Sequence, residues 1–254
     1  MFCYQCEQTA GGEGCVKHGV CGKDPEVATL QDVLVHAVKG ISMYAHRARE
    51  LGSVDRDINV FTVEALFSTV TNVNFDPERL AKLIQQAHTV MKKAQELYEE
   101  ACKKEKNEPE TLSGAAEWEP ATDRQGLLKQ GEDIGIENRK KALGEDVTGL
   151  QELLTYGIKG MSAYADHARI LGEEDDAVYG FIHRALSRIA EGETDIHSLL
   201  ELNLECGEIN LRTMELLDKA NTGAYGDPEP TQVRVTPVSG KAIVVSGHDL
   251  KDLE

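Results

Sequence analysis

The strongest constraint on the fold of this 254-residue chain is an internal duplication, in which a pattern of residues recurs 120 positions later. Seven matches keep this offset: Leu30 and Leu150, Gln31 and Gln151, Lys39-Gly40 and Lys159-Gly160, Tyr44-Ala45 and Tyr164-Ala165, Leu51-Gly52 and Leu171-Gly172, Phe61 and Phe181, and Ala65-Leu66 and Ala185-Leu186. A duplication of this length predicts that two similar units fold alike and pack on each other.

Each unit has the periodicity of amphipathic helices, because its apolar residues recur at three- and four-residue steps. In the first unit, Asp24-Pro25 indicates a helix start and Gly52 a stop, and two further helices are predicted over residues 58–73 and 76–104. The second unit repeats this order, and its third helix is predicted over residues 195–219. We interpret Gly40 and Gly160 as positions where helices cross closely. Three amphipathic helices are enough to form a bundle.

The predicted fold class is therefore mainly α, with duplicated three-helix bundles between a cysteine-rich loop and the start of an α/β domain. The apolar, β-branched run over residues 241–246 indicates a buried strand, and the residues after it indicate the first turn of a helix. The predicted divisions are a cysteine-rich loop (1–29), a first three-helix bundle (30–104), a connector with one short helix (105–148), a second three-helix bundle (149–220), and a linker with the start of an α/β domain (221–254).

The charge balance narrows the classes of partner. With 44 acidic and 27 basic residues the net charge is −17, so we expect neither nucleic acid nor a membrane as a partner. The sequence contains no apolar run of membrane-spanning length, and its first residues do not have the pattern of a signal peptide. We therefore expect a cytoplasmic protein, in a reducing compartment where clustered cysteines are more often metal ligands than disulfides.

Four cysteines within the first 21 residues predict a metal centre. Cys3, Cys6, Cys15 and Cys21 have the spacing C-x2-C-x8-C-x5-C, and five glycines lie between or beside them. The first pair can face one point from a tight turn, and the glycines let the loop curl so that four thiolates converge. This pattern favours an iron–sulfur cluster, while a structural zinc site and redox-active or disulfide-bonded thiols remain alternatives.

The other candidate ligands differ in their surroundings. Cys102 and Cys206 lie singly in helical patterns, which is typical of small buried hydrophobic residues. His248 follows the predicted strand, at the end where α/β sheets place their ligand sites, and is a candidate for a metal or catalytic role. The histidines of the helical patterns have no partner at ligand spacing, and we interpret them as surface or core residues: His36, His46, His88, His167, His183 and His197.

The sequence resembles the hybrid cluster proteins, also called prismane proteins or hydroxylamine reductases. The residues that carry the resemblance are Met1-Phe2-Cys3-Tyr4-Gln5-Cys6-Glu7-Gln8-Thr9, Cys15, Gly19-Val20-Cys21-Gly22-Lys23, the segments 150–160 and 221–223, and Ser246-Gly247-His248-Asp249 within residues 240–254. The resemblance covers essentially the whole chain, and the closely spaced cysteines are those of the anaerobe-type branch.

The resemblance implies an oxidoreductase of the hydroxylamine reductase type. In it, Cys3, Cys6, Cys15 and Cys21 hold a [4Fe-4S] cluster that relays electrons from a redox donor protein. His248 is one ligand of a hybrid [4Fe-2O-2S] cluster, where hydroxylamine is reduced to ammonia or nitric oxide is reduced. The other hybrid-cluster ligands lie in a C-terminal portion that follows residue 254 in the family, with Rossmann-like α/β domains, so that cluster requires this portion.

Two other functions fit the same residues. The chain can be a stand-alone [4Fe-4S] electron-transfer module, or a helical interaction scaffold stapled by zinc. The metal and the inorganic sulfide that the cysteines bind distinguish these functions from each other.

Overall fold

The computed structural model describes residues 1–6 and 14–243, and this part of the chain is mainly helical, which confirms the predicted fold class. The predicted strand over residues 241–246 extends past the described residues and stays a prediction. The described part contains the helices α1 (Pro25–Glu50), α2 (Arg56–Ser68), α3 (Pro77–Glu105), α4 (Arg124–Ile134), α5 (Ile136–Leu143), α6 (Glu145–Ile170), α7 (Asp176–Ala190) and α8 (Ile196–Tyr225), and a 3₁₀ turn at Gly114–Ala116.

The helices follow the duplication seen in the sequence. α1, α2 and α3 correspond to α6, α7 and α8, and α1 and α6 have 26 residues each. In each unit, a glutamine of the first helix donates from Nε2 to a backbone carbonyl in the turn between the second and third helices. Gln31 reaches the carbonyl of Asn74 at 3.0 Å, and Gln151 reaches that of Glu193 at 2.7 Å. The two units therefore share internal contacts as well as helix order.

The two units interlock instead of lying side by side. α1 packs against α3 of its own unit and against α7 of the other, while α6 packs against α8 and also against α2. One hydrophobic core includes fully buried side chains of both units, among them Leu34, Ile41, Leu154 and Ile158. Burying such a side chain contributes about 1.5–3 kcal/mol relative to leaving it exposed. The core that crosses between the units therefore holds them together.

Aspartate caps begin most of these helices. The carboxylate of Asp24 accepts from the backbone N–H of Val27 at 2.7 Å, and Asp76 caps α3 in the same way. Both confirm predicted helix starts. α2 begins at Arg56, two residues before its predicted start, because Asp55 accepts from the N–H of Ile58 at 3.1 Å and so serves as the N-cap.

Two helix ends differ from the prediction. α2 ends at Ser68, short of residue 73, because the hydroxyl and the N–H of Thr69 both donate to the carbonyl of Leu66 and Asn72 adopts a left-handed φ of 66°. α8 instead continues beyond residue 219 to Tyr225. The hydroxyl of Thr222 donates to the carbonyl of Asp218 at 2.8 Å within this extension, so its polar residues form helix where the sequence indicates a linker.

The connector is more ordered than predicted, since it forms α4 and α5 instead of one short helix. Its 3₁₀ turn lies against Gly40 of α1. A Cβ atom at Gly40 would lie 2.2 Å from the carbonyl oxygen of Ala115 and 2.8 Å from Sδ of Met91, whereas one at Gly160 would meet no heavy atom within 4 Å. The interpretation of Gly40 and Gly160 as helix-crossing positions is therefore wrong for Gly160, while Gly40 accommodates mainly the connector.

This difference predicts opposite effects of the same substitution in the two units. Gly40→Ala should lower the free energy of unfolding by about 1–3 kcal/mol, because the backbone of the 3₁₀ turn must move to admit the methyl group. Gly160→Ala should leave it unchanged or raise it by up to about 1 kcal/mol, since alanine favours the helix. Urea unfolding followed by circular dichroism measures both, and equal changes in the two variants would contradict this account.

His183 of α7 is a core histidine, as the sequence indicates. Its Nδ1 lies 3.1 Å from the hydroxyl of Ser42 in α1, and its Nε2 lies 3.0 Å from Oδ1 of Asn59 in α2. Burial lowers the pKa of His183 to about 3, and the neighbouring Arg49 contributes to this lowering. The neutral imidazole therefore bridges the two units where α7 meets α1 and α2.

A buried neutral histidine makes the stability of the protein sensitive to acid. Below the ordinary pKa of 6.5 the unfolded chain takes up a proton at His183 that the folded chain does not, so the free energy of unfolding falls as the pH falls. For one such group the slope approaches about 1.4 kcal/mol per pH unit. Urea unfolding of His183→Gln from about pH 7 to pH 4 should show a shallower acid dependence than the unaltered protein.

The matched control is His197→Gln, because the side chain of His197 is 84% exposed and forms an ion pair with Glu201 at the surface. It should keep the acid dependence of the unaltered protein. An unchanged slope in His183→Gln would show that His183 does not carry this dependence.

Candidate metal centre

A short antiparallel bridge pairs two of the four clustered cysteines. The N–H of Cys15 donates to the carbonyl of Cys3 at 2.7 Å, and the N–H of Phe2 donates to the carbonyl of Cys15 at 2.9 Å. Both cysteines are buried and pack with Ala28 of α1. The N-terminal segment and the loop before α1 thus bring Cys3 and Cys15 side by side, twelve positions apart in sequence.

Cys21 lies in a tight turn directly before α1. The N–H of Gly19 donates to the carbonyl of Lys23 at 2.8 Å, and the N–H of Gly22 donates to the carbonyl of Gly19 at 2.9 Å. Gly22 has a φ of +94°, which a residue with a side chain rarely adopts. Nζ of Lys23 donates to Gln31 at 2.7 Å inside the protein, so this turn is fixed to α1.

The structure gathers only part of the predicted ligand set. Cys3 and Cys15 are paired, Cys6 and Cys21 are half-buried, and all of these are free thiols. Residues 7–13, between Cys6 and Cys15, and His248 lie outside the described residues. Within 1–6 and 14–243 no group of three or more histidine, cysteine or acidic side chains is arranged to hold a metal ion. The donor chemistry fits an iron–sulfur cluster, since four thiols lie on a glycine-rich loop and two of them are already adjacent.

The two residues between Cys3 and Cys6 are held by α6. The hydroxyl of Tyr4 donates to the carboxylate of Glu152. Only one orientation of the Gln5 amide satisfies both of its ends: the side-chain oxygen then accepts from Nζ of Lys159 at 2.7 Å, and the amide nitrogen donates to the carbonyl of Thr69 at 3.2 Å. Glu152 and Lys159 are seven residues apart, so they lie on one face of the helix. The C-x2-C segment is therefore attached to the interior of the helical body through its two non-cysteine side chains.

Five ionisable side chains meet between the two units, and we call them the charged core: Asp32 and Lys39 of α1, Arg139 of α5, and Glu152 and Lys159 of α6. Asp32 and Lys39 occupy the positions in the first unit that Glu152 and Lys159 occupy in the second. Lys159 is 4% exposed, and the other four are partly buried. The duplication therefore brings two acid–lysine pairs together with one arginine.

Burial changes the ionisation of this charged core. It raises the pKa of Asp32 to about 6, a shift that Lys159 opposes. It lowers the pKa of Lys39 and of Lys159 to about 8 each. Burial also disfavours the ionised form of Glu152, yet Arg139 and Lys39 hold the pKa of its carboxyl below the ordinary value. Glu152, with an ion pair to Arg139 and the hydroxyl of Tyr4, is the most firmly ionised acid of the group.

Two cavities adjoin the charged core and the C-x2-C segment. One, of about 520 Å³, is lined by Met1, Gln5, Cys6, Tyr156 and Lys159 among others. The second, of about 320 Å³, is lined by all five residues of the charged core, with Tyr4 and Gln5. The space beside Cys6 is therefore bounded by the same lysine that contacts Gln5.

Sequence reasoning did not identify Tyr4, Gln5, Glu152 or Lys159 as parts of a site. The available signal is the repeated Lys39 and Lys159, each seven residues after an acid on a mainly apolar helix face. Cys102 and Cys206 are buried in helices, as predicted, and burial raises the pKa of the Cys206 thiol to about 11. Among the described helices none is long and apolar enough to cross a membrane.

Comparison with known proteins identifies similar chains over the full sequence. The family model described as "Prismane/CO dehydrogenase family" matches residues 1–254. A hydroxylamine reductase of Rhodospirillum rubrum is 53% identical over 253 residues, and one of Syntrophobacter fumaroxidans is 52% identical over 254. A third, of Acidithiobacillus ferrooxidans, is 47% identical over 258 residues. Each comparison covers 100% of this chain and 46% of the relative, so the chain spans about half the length of the curated relatives it matches.

Proposed function

Because this chain belongs to the prismane/CO dehydrogenase family, we propose that it is the iron–sulfur electron-relay part of a hydroxylamine reductase. The observation that carries the proposal is the buried pairing of Cys3 with Cys15, on a segment that α6 holds through Tyr4 and Gln5. A relay needs ligands fixed in the protein interior, so that its cofactor changes charge with little rearrangement of its surroundings.

In this proposal Cys3, Cys6, Cys15 and Cys21 hold a [4Fe-4S] cluster, which accepts single electrons from a donor protein. His248 is one ligand of the hybrid [4Fe-2O-2S] cluster, and the other ligands come from a C-terminal portion such as the relatives' greater length provides. The overall reaction adds two electrons and two protons to hydroxylamine, breaks its N–O bond, and releases ammonia and water; nitric oxide is the other proposed substrate. The net charge of −17 suits a basic or mixed-charge donor in the cytoplasm.

The proposed organisation follows from the same assignment. The cysteine-rich loop (1–29) carries the relay, and the bundles over 30–104 and 149–220, joined by the connector (105–148), hold it in place. Residues 221–254 lead into the α/β portion that contains His248. The interlocked packing of α1 with α7 and of α2 with α6 supports a body rigid enough to fix the distance between two redox centres.

The first prediction of this proposal concerns the bound metal. The full chain, purified anaerobically or loaded with iron and sulfide, should contain about four iron and four inorganic sulfide per chain. Cys3→Ser and Cys15→Ser should lose most of both, because each removes one of four thiolate ligands. Metal and sulfide analysis measures this content in all the variants.

The control is Cys206→Ala, because Cys206 is a buried helical residue away from the loop and its removal should leave the iron and sulfide content intact. If the unaltered chain contains zinc and no inorganic sulfide, the proposed relay is wrong and the chain is a zinc-stapled scaffold. If the chain binds four irons and four sulfides but no hydroxylamine is reduced even when the C-terminal half of a relative is supplied, the chain is a stand-alone electron-transfer module.

The second prediction concerns His248. When the chain is joined to the C-terminal half of a relative, electron consumption should depend on hydroxylamine, and His248→Ala should lower it at least tenfold by removing a ligand of the hybrid cluster. His197→Ala, an exposed histidine of α8, should leave the rate unchanged. An unchanged rate in His248→Ala would show that His248 is not a ligand of the reacting centre.

A further inference from the structure

We propose that Lys159 is a positioning residue for the [4Fe-4S] cluster, an inference that rests on the proposed function. Lys159 fixes the Cys3–Cys6 segment through Gln5 and supplies a buried positive charge that favours the reduced, more negative form of the cluster.

The contact with the C-x2-C segment is direct. With the Gln5 amide in the orientation that satisfies both of its ends, Nζ of Lys159 donates to its side-chain oxygen at 2.7 Å, and Gln5 is the residue before Cys6. Lys159 and Cys6 line the same cavity, and Lys159 lies within electrostatic range of the Cys3 thiol. With 4% of its surface exposed, the ammonium group is poorly screened by water. Its charge therefore acts on the cysteine loop at low effective dielectric.

The charges around Lys159 do not cancel. The charged core has three basic groups (Lys39, Arg139 and Lys159) and two carboxyl groups (Asp32 and Glu152), which leaves one net positive charge when all five are ionised. The buried Lys23, which also acts on Lys159, lies outside this sum and adds to the excess. Arg139 pairs with Glu152, and the acid that acts most strongly on Lys159 is Asp32. A buried excess of positive charge is costly unless an anion lies nearby. Four thiolates around an iron–sulfur cluster provide such an anion beside Lys159.

The duplication provides a matched control within the same protein. Lys39 occupies the equivalent position of α1, faces the same carboxyl groups and has its pKa lowered by the same burial. Its surroundings contain Asp32, Arg139, Glu152 and Lys159, and no cysteine is among the charges that act on it most strongly. It lines the cavity of the charged core but not the cavity beside Cys6. Lys39 is therefore a partly buried lysine of the same charged core that lacks the contact of Lys159 to the C-x2-C segment.

The test measures the reduction potential of the full 254-residue chain loaded anaerobically with iron and sulfide. A redox titration followed by electron paramagnetic resonance gives the midpoint potential of each variant. Lys159→Met should make reduction about tenfold less favourable, which corresponds to a potential about 59 mV lower for one electron. Lys159→Arg should stay close to the unaltered protein because it keeps the charge. Lys39→Met should shift the midpoint potential by less than about a third of the shift in Lys159→Met.

The outcomes separate this inference from the proposed function. An unaltered chain that binds no iron and sulfide overturns both. The role of Lys159 alone is overturned if cluster-loaded Lys159→Met has the midpoint potential of the unaltered protein, or if Lys39→Met shifts the midpoint potential by the same amount. If Lys159→Met fails to bind the cluster, iron and sulfide content becomes the readout. If Lys159→Met loses iron and sulfide while Lys159→Arg and Lys39→Met keep them, the positive charge of Lys159 is supported as the cause. If Lys159→Arg loses them as well, the proposed role of that charge is overturned.

Discussion

The charged core between α1 and α6 is the constraint around which the rest of the structure is arranged. Removing an ionised side chain from water costs several kcal/mol, and the cost is offset only when its partners are held in favourable positions. Here the partners come from three helices: Asp32 and Lys39 from α1, Glu152 and Lys159 from α6, and Arg139 from α5. The interlocked units and the folded connector keep these helices in place. Displacing any one of them would leave a charge without its partner.

Duplication placed equivalent side chains in this core, and the surrounding segments then gave the two copies different roles. Tyr4 and Gln5 contact Glu152 and Lys159 of the second unit, while Asp32 and Lys39 face the cavity and the connector. The 3₁₀ turn of the connector lies against Gly40, but among the described residues nothing fills the equivalent space at Gly160. The asymmetry thus arises from the two segments outside the repeat, the cysteine-rich loop and the connector, each of which packs closely against one copy.

Much of the helical body is predictable because its determinants are local. Periodicity, the caps Asp24 and Asp76 and the repeat offset are enough to give the order of six helices and the starts of α1, α3 and α8. The connector is less predictable, because α4 and α5 are short and depend on packing against α1 and α6. The late end of α8 escapes prediction for a related reason: Thr222 and its polar neighbours indicate a linker when read alone, yet their hydrogen bonds continue the helix.

The candidate site is also predictable only in the part that local sequence determines. Cysteine spacing is a local property, and it is enough to identify Cys3, Cys6, Cys15 and Cys21 as candidate ligands. The charges of α5 and α6 beside Tyr4 and Gln5 come from positions more than a hundred residues away, and each is an ordinary polar residue of an amphipathic helix in sequence. Only packing shows that Lys159 is buried whereas Lys140 is a partly exposed partner of Glu145.

The sign of the charge reverses between the outside and the inside of this protein. With a net charge of −17 the chain as a whole is strongly acidic, whereas the charged core beside the C-x2-C segment has an excess of positive charge. A buried positive charge stabilises a neighbouring anion more than a surface charge does, because less water lies between the two groups. The reversal therefore favours an anionic group at the cysteine loop, and in the proposed relay it favours the cluster most when the cluster has gained an electron.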